Sequence, residues 1–249
     1  MFAIVSDIHG NVEALTTVLA EIDKRGIEHV VCLGDIVGYG PNPMECLDLV
    51  RKRCRAALMG NHDFAVFYEP YNFNSGAESA CFWTRNEFDK DPNVAERAER
   101  WKYVGNLPVR IRTNDFVAVH ASPRRPINEY IFPDDIYTNP GKFVSIFERF
   151  EKLCFVGHTH VPGVFLEGPD FYSPDELDYK FELSDEKAIV NVGSVGQPRD
   201  RDPRSSFVIV HDTHIEFVRK EYDVDTTVRK VSDNPNLDNF LGTRLLDGR

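Results

Sequence analysis

Phe2-Ala3-Ile4-Val5-Ser6-Asp7-Ile8-His9 opens the chain, and an apolar run that stops on an acid and an imidazole sets the reading of everything after it. The continuous apolar residues from Phe2 to Ser6 predict a strand. Val12, Leu15, Val18, Leu19 and Ile22 then recur at helical spacing up to a stop at Gly26, so the period changes from strand to helix within a few residues. His29-Val30-Val31-Cys32-Leu33 reads as a second buried strand, Pro43 to Lys52 as a helix opened by Asn42-Pro43, and Arg55-Ala56-Ala57-Leu58 as a third strand. This β-α-β-α-β order predicts an α/β fold with parallel strands covered by helices.

From Phe64 to Asn106 the pattern turns helical and polar, with Phe82, Trp83, Phe88, Trp101 and Tyr103 among the charges, which predicts a helical insert or cap. Strand-like runs return at Phe116 to Val119, Leu153 to Val156, Gly163 to Leu166, Ala188 to Val192, Phe207 to Val210 and Ile215 to Val218, the last two forming a hairpin around Asp212-Thr213. The acidic, turn-rich stretch Glu167 to Lys187 reads as a solvated loop. With no internal repeat or low-complexity linker, one domain over residues 1–249 is the economical expectation.

The net charge of -11 and the lack of a basic run argue against duplex nucleic acid as a partner. Phe2 to Val5 is too short for a signal core or a membrane span, which leads to an expectation of no membrane association and a cytoplasmic location. Cys32, Cys46, Cys54, Cys81 and Cys154 are odd in number and have no CxxC spacing, so free thiols are expected rather than disulfides or ligands.

The chemistry lies where the apolar runs end, at Asp7-Ile8-His9, Gly34-Asp35, Gly60-Asn61-His62-Asp63, Val119-His120 and Gly157-His158-Thr159-His160. In open α/β sheets ligands gather at the carboxyl ends of strands, and five separate strands would deliver these groups to one rim. A lone Asp there is ordinarily a cap and a lone His a surface group, but that explanation would be needed five times over. Carboxylate, amide oxygen and imidazole without thiolate suit a borderline divalent metal and disfavour a structural zinc site. Asp35 is the natural bridging ligand between two ions, and His158 and His160, two apart, would point to one side if they stood on a strand.

In this order the motifs D-x-H, G-D, G-N-H-D, H and G-H-x-H resemble the calcineurin-like metallophosphoesterase superfamily. The segments Gly34 to Pro41, Asn191 to Arg199 and Leu245 to Arg249 resemble a bacterial branch of YfcE-like or diadenosine-tetraphosphatase-like phosphodiesterases. The resemblance implies a four-layer α/β/β/α sandwich of two mixed β-sheets flanked by helices, with a helical insert at about 64–106. It implies one divalent metal on Asp7, His9, Asp35 and His160 and a second on Asp35, Asn61, His120 and His158. Manganese is the first expectation, with iron, cobalt, nickel or zinc also suited. His62 would be the general acid, while Asp63 would either orient His62 or cap a turn.

The implied reaction is hydrolysis of a small phosphodiester or a nucleotide pyrophosphate linkage by a hydroxide activated between two metals. Phosphoprotein phosphatases of the superfamily carry Asp and Arg shortly after the bridging Asp, where this chain has Gly38 and Tyr39. Arg199 is the candidate replacement cation, ahead of Arg124 and Arg125, with Ser194 and Tyr39 as further substrate-contacting candidates. Arg199 reads equally as a salt-bridge partner of Asp200 or Asp202. A phosphoprotein phosphatase and a non-catalytic interaction module on the same fold are the alternative readings. The aromatic insert would be a lid or the contact of a homo-oligomer.

Overall fold

The computed structural model describes residues 1–168 and 170–249. The N-terminal third alternates as expected: β1 (Phe2–Val5), α1 (Val12–Lys24), β2 (Val30–Cys32), α2 (Pro43–Arg53) and β3 (Ala56–Ala57). Asn11 starts α1 by accepting from the amide of Ala14, and Pro43 starts α2, where its missing N–H costs nothing. Three helices follow, α3 (Asn61–Phe67), α4 (Ser75–Lys90) and α5 (Val94–Gly105), then β4 (Arg110–Arg112), β5 (Phe116–Val119), α6 (Asp135–Thr138), α7 (Pro140–Phe147), β6 (Leu153–Val156) and β7 (Gly163–Leu166). The chain continues through β8 (Asp170–Tyr172), β9 (Lys180–Glu182), β10 (Ala188–Asn191), β11 (Ser205–Val210) and β12 (His214–Lys220), and closes with α8 (Val224–Ser232), α9 (Asn239–Thr243) and a 3₁₀ turn at Arg244–Asp247.

Among the described residues these strands make two six-stranded mixed sheets, in the orders β3-β2-β1-β11-β12-β9 and β4-β5-β6-β10-β7-β8. Strands β1, β2 and β3 are parallel neighbours, as are β5, β6 and β10, and the remaining pairings are antiparallel. Period-two alternation sorts each strand between layers. Ala3 and Val5 of β1 pack with α1 and α2, whereas Ile4 between them faces the second sheet. In β6, Phe155 faces the first sheet, while Cys154 and Val156 face Phe143, Ile146 and Phe147 of α7. Helix, sheet, sheet and helix therefore enclose three apolar layers, which is the four-layer sandwich expected.

Residues 64–106 are helical as expected, but they do not form an appendage. Ala65, Val66, Phe88, Val104 and Leu107 belong to the same core cluster as α1 and α2, and the first of the three helices begins at Asn61, inside a motif. Trp101 packs on Phe67 and Phe88 with centroids 6.0 and 5.3 Å away and donates to Asp89, while Trp83 packs against the cluster of Tyr39, Leu237 and Leu241. Both tryptophans are half-buried within their own chain.

The stretch Glu167 to Lys187 is not only a loop. It carries β8 and β9, which edge the two sheets, and Leu177, Tyr179, Phe181 and Leu183 cover the layer between them. Short edge strands with outward charges, such as Lys180-Phe181-Glu182, hide their period. All five cysteines are free, four of them buried and Cys54 partly so. Among the described residues no helix is long and apolar enough to cross a membrane.

Candidate metal centre

The loops that follow β1 and β2 are laced together, with the amides of Asp7, His9 and Gly10 donating to the carbonyls of Gly34, Asp35 and Ile36. The loop after β10 then ties to the first of them: Val195 and Gly196 donate to the carbonyls of Ser6 and Asp7, and Ser194 Oγ donates to the Asp7 carbonyl at 2.7 Å. Asn191 holds the loop after β6 from below, its amide donating to the Gly157 carbonyl and to Thr159 Oγ1 at 2.9 and 2.7 Å.

These loops bring Asp7, His9, Asp35 and His160 into one buried group and Asp35, His120 and His158 into another, with Asp35 common to both. His160 Nε2 lies 3.1 Å from Asp7 Oδ1 and 3.1 Å from His9 Nε2. On the other side His120 Nε2 lies 3.2 Å from His158 Nδ1 and 3.1 Å from Asn61 Oδ1, which places the amide expected there in the second group. Asp35 Oδ1 accepts from the amide of His62 at 2.8 Å, which leaves Oδ2 between the groups, 3.6 Å from His9 Nε2 and 3.4 Å from His120 Nε2.

The donor set fits divalent cations on the chemistry of its rings. His120 Nδ1 donates to the Leu33 carbonyl and His160 Nδ1 to the Gln197 carbonyl, so in each neutral ring Nε2 carries a lone pair. The lone pairs of His160 and His120 point into the groups at the spacing of donors that share an ion about 2.0–2.2 Å away. Asp7 Oδ1, His9 Nδ1 and His158 Nε2 are buried with no hydrogen-bond partner. Burial outweighs neighbouring carboxylates for His9 and His160, whose pKa values fall, and drives His158 down to about 3. Asp7 and Asp35 lie far below the usual carboxylate range despite burial, because the rings of His160 and His120, respectively, face them. His120 rises against burial to about 9 because Asp35 faces it, so a proton sits where a cation would compete for the same ring.

Asp7, His9, Asp35, His158 and His160 all have left-handed backbone, with φ values of 55°, 51°, 51°, 64° and 61°. This corrects the expectation that His158 and His160 converge because they lie on a strand. The strand ends at Val156, and two left-handed residues flank Thr159, whose hydroxyl is turned to Asn191.

His62 is buried in a cage of rings, with Tyr39, Phe73 and His9 centroids 4.3, 4.7 and 4.8 Å away and Cys81 Sγ 3.7 Å from Nδ1. Burial lowers it to about 4. Gly38 lies against this ring, and any Cβ there would meet the imidazole. Among the described residues no hydrogen bond joins Asp63 to the His62 ring. Its carboxylate accepts from the amides of Ile36, Val37 and Gly60 at 3.0, 3.3 and 3.0 Å, so of the two expectations the turn cap is the one formed, and burial beside Asp35 pushes it up to about 7.

Among the substrate-contacting candidates, Ser194 does not face open space. It is fully buried, and its hydroxyl is used by the Asp7 carbonyl and the Gln197 amide. Arg199 makes neither expected salt bridge, since Asp200 pairs with Arg219 and Asp202 with Arg204. Its guanidinium holds Gln197 Oε1 at 2.6 Å and lies 5.8 Å from the Tyr39 ring centroid, with enough charge nearby to depress His9, His62 and His160 further. Arg124 is held by Glu129, whereas Arg125 has no ion pair among the described residues.

Sequence reading missed Asn191 as the support of the histidine loop, Gln197 as the carbonyl that fixes His160, and Tyr130, whose ring stacks on His158 at 4.1 Å. It also missed Arg244, whose guanidinium is lowered to about 10 by burial and by Arg199. Asn191 and Gln197 lie in the family-like segment Asn191 to Arg199, which does not by itself show what they hold, and nothing in local spacing marks Tyr130 or Arg244. They reach the centre only through the long-range packing of the loops.

A sandwich of two mixed sheets with two buried carboxylate–imidazole groups at the strand ends defines a metal-capable α/β scaffold. The family model for the calcineurin-like phosphoesterase superfamily domain matches residues 1–214, and the chain belongs to that family. It is 38% identical to an uncharacterized protein of Methanocaldococcus jannaschii, over 100% of this chain and 98% of that one. Among solved structures, a metallophosphoesterase from Sphaerobacter thermophilus matches with a TM-score of 0.83 and 36% identity, covering 100% of this chain and 99% of that one. A hypothetical protein from Pyrococcus horikoshii OT3 shares the fold, with a TM-score of 0.75 and 19% identity over 100% and 98% of the two chains.

Gly60 gives a direct test of how the centre is held. A Cβ at this position would collide with both the carboxylate and the backbone nitrogen of Asp35. Gly60→Ala should destabilise the fold by about 1–3 kcal/mol, as overpacking does, and lower metal content by moving Asp35. Unchanged metal stoichiometry in that variant would show that Asp35 does not need this contact.

Proposed function

We propose that this chain is a phosphoesterase with two divalent metals, manganese first among them, that cleaves small phosphodiesters or nucleotide pyrophosphate linkages. The observation that carries the reading is the pair of buried groups that share Asp35, with ring nitrogens fixed by carbonyls on their far sides. Asp7, His9, Asp35 and His160 would hold one ion, and Asp35, Asn61, His120 and His158 the other. Bound cations in such a site activate water and neutralise phosphoryl oxygens during in-line attack.

The protein's own groups account for the rest. Burial keeps His62 near 4 and so neutral, and it becomes an acid only when the negative charge of a bound phosphoester draws a proton onto the ring. It then gives that proton to the departing oxygen. Asp63 positions the turn that carries Asp35 and His62. Arg199, which pairs with no carboxylate among the described residues, binds a phosphoryl oxygen from the His9 and His160 side, with its guanidinium over the Tyr39 ring.

Gly38 and Tyr39 fill the place of the phosphatase Asp and Arg, and this favours small esters over phosphopeptides. One domain over 1–249 would carry the whole site, since both sheets contribute ligands. Five unpaired cysteines suit a reducing compartment, the cytoplasm. The test is a panel of dinucleoside polyphosphates, cyclic nucleotides, aryl phosphodiesters and phosphopeptides, run beside metal analysis. Expected are about two divalent ions per chain and turnover of the diesters or anhydrides. Metal-loaded protein that turns over none of them would overturn the hydrolase reading, and a preference for phosphopeptides would overturn the substrate class.

A further inference from the structure

Next to the second ligand group a cavity of about 530 Å³ opens between the start of the helical insert and residues 125–130. Its volume lies within the roughly 300–1,000 Å³ of small-molecule sites. Asn61 and His158 form the end nearest the centre, and Phe64, Phe73 and Tyr130 are among its walls. Tyr130 is fixed in plane, stacked on His158 at 4.1 Å and on Phe132 at 5.2 Å with only 7° between the last two rings. Tyr71 stands at the rim, 79% exposed, and its ring meets no other aromatic ring among the described residues. Arg125, exposed and without an ion pair among the described residues, adds a cation to the lining, Glu69 adds a carboxylate, and Asn72 and Asn128 add amides.

We propose that this cavity takes the nucleoside part of the ester, with the base stacked under Tyr71 and its polar edge toward the amides. The proposal rests on the phosphoesterase reading above. Flat aromatic walls are stabilised by a flat π-face, and amides with a cation at the edge match a heteroaromatic ring beside phosphate.

The experiment compares two esters with the same nitrophenolate leaving group, thymidine 5′-(4-nitrophenyl phosphate) and methyl 4-nitrophenyl phosphate, on the manganese-loaded chain. The ratio of their kcat/KM values should favour the thymidine ester and fall by about 5–150-fold in Tyr71→Ala, the range for losing one base–aromatic stack. Tyr71→Phe, which keeps the ring, should retain most of the ratio. Calorimetric titration with thymidine 5′-monophosphate supplies a readout independent of turnover and should show weaker binding in Tyr71→Ala. Equal kcat/KM values in the wild type, or a ratio that Tyr71→Ala does not move, would overturn the cavity assignment and leave the hydrolase reading intact. If neither ester is cleaved but the monophosphate binds and Tyr71→Ala weakens it, the cavity assignment holds and the hydrolase reading fails. Neither cleavage nor binding would overturn both.

Discussion

Asp35→Asn should empty both metal positions at once and remove hydrolysis with them. The carboxylate is the one group common to the two ligand clusters, and its oxygens are divided: Oδ1 takes the amide of His62, and Oδ2 lies between His9 and His120. Asparagine keeps an acceptor for the His62 amide, so α3 should still start correctly. Its neutral amide would face His9 and His120 in place of the shared negative charge, which removes the bridging donor from both groups. The expected result is a folded protein whose metal content falls from about two ions per chain toward none, with turnover lost in parallel. Anomalous scattering that shows both ions still in place would remove Asp35 from the bridging role.

His62→Ala should cost on the order of 10²–10⁴ in rate for esters with alkoxide or nucleoside leaving groups, the usual range for general acid catalysis. A nitrophenolate departs unaided, so its hydrolysis should suffer much less. The amide of His62 donates to Asp35, and alanine retains that amide, so metal content should not change. The ring is caged by Tyr39 and Phe73, and its removal leaves a hole. His62→Gln fills more of that space and separates loss of packing from loss of the proton. A penalty that is the same across diesters graded by leaving-group pKa, or loss of metal in either variant, would make His62 a ligand or a phosphate binder instead.

Much of this architecture was legible where the chain's own spacing carries it. Strands Phe116–Val119, Leu153–Val156 and Gly163–Leu166 match their expected ranges because a buried strand is an uninterrupted apolar run. Arg110–Arg112 was not legible, since an edge strand with two exposed arginines has no apolar signature. Helices α6 and α7 were missed because what makes them helical is the outer face of the second sheet, which Phe143, Ile146 and Phe147 cover. For the candidate centre, residue types at strand ends named the groups that the fold gathers. Ser194 was misjudged because a serine beside a glycine turn looks the same whether its hydroxyl faces solvent or a buried carbonyl. Asp63 shows the converse: the sequence marks it as chemically interesting, and only the amides of Ile36, Val37 and Gly60 reveal what it holds.

The left-handed backbone of Asp7, His9, Asp35, His158 and His160 sets the centre against the stability of the fold. Each such residue costs on the order of 1 kcal/mol, so five of them amount to about 5 kcal/mol beside a typical domain stability of roughly 5–15 kcal/mol. Glycine occupies these angles freely. In metal-free protein, His160→Gly should therefore melt above His160→Ala, the reverse of the usual order, and equal melting temperatures would show that the backbone there is not strained. A lineage released from metal binding could gain stability by drifting toward glycine wherever relief of the backbone exceeds the hydrogen bonds given up, such as the one Asp35 makes to the His62 amide.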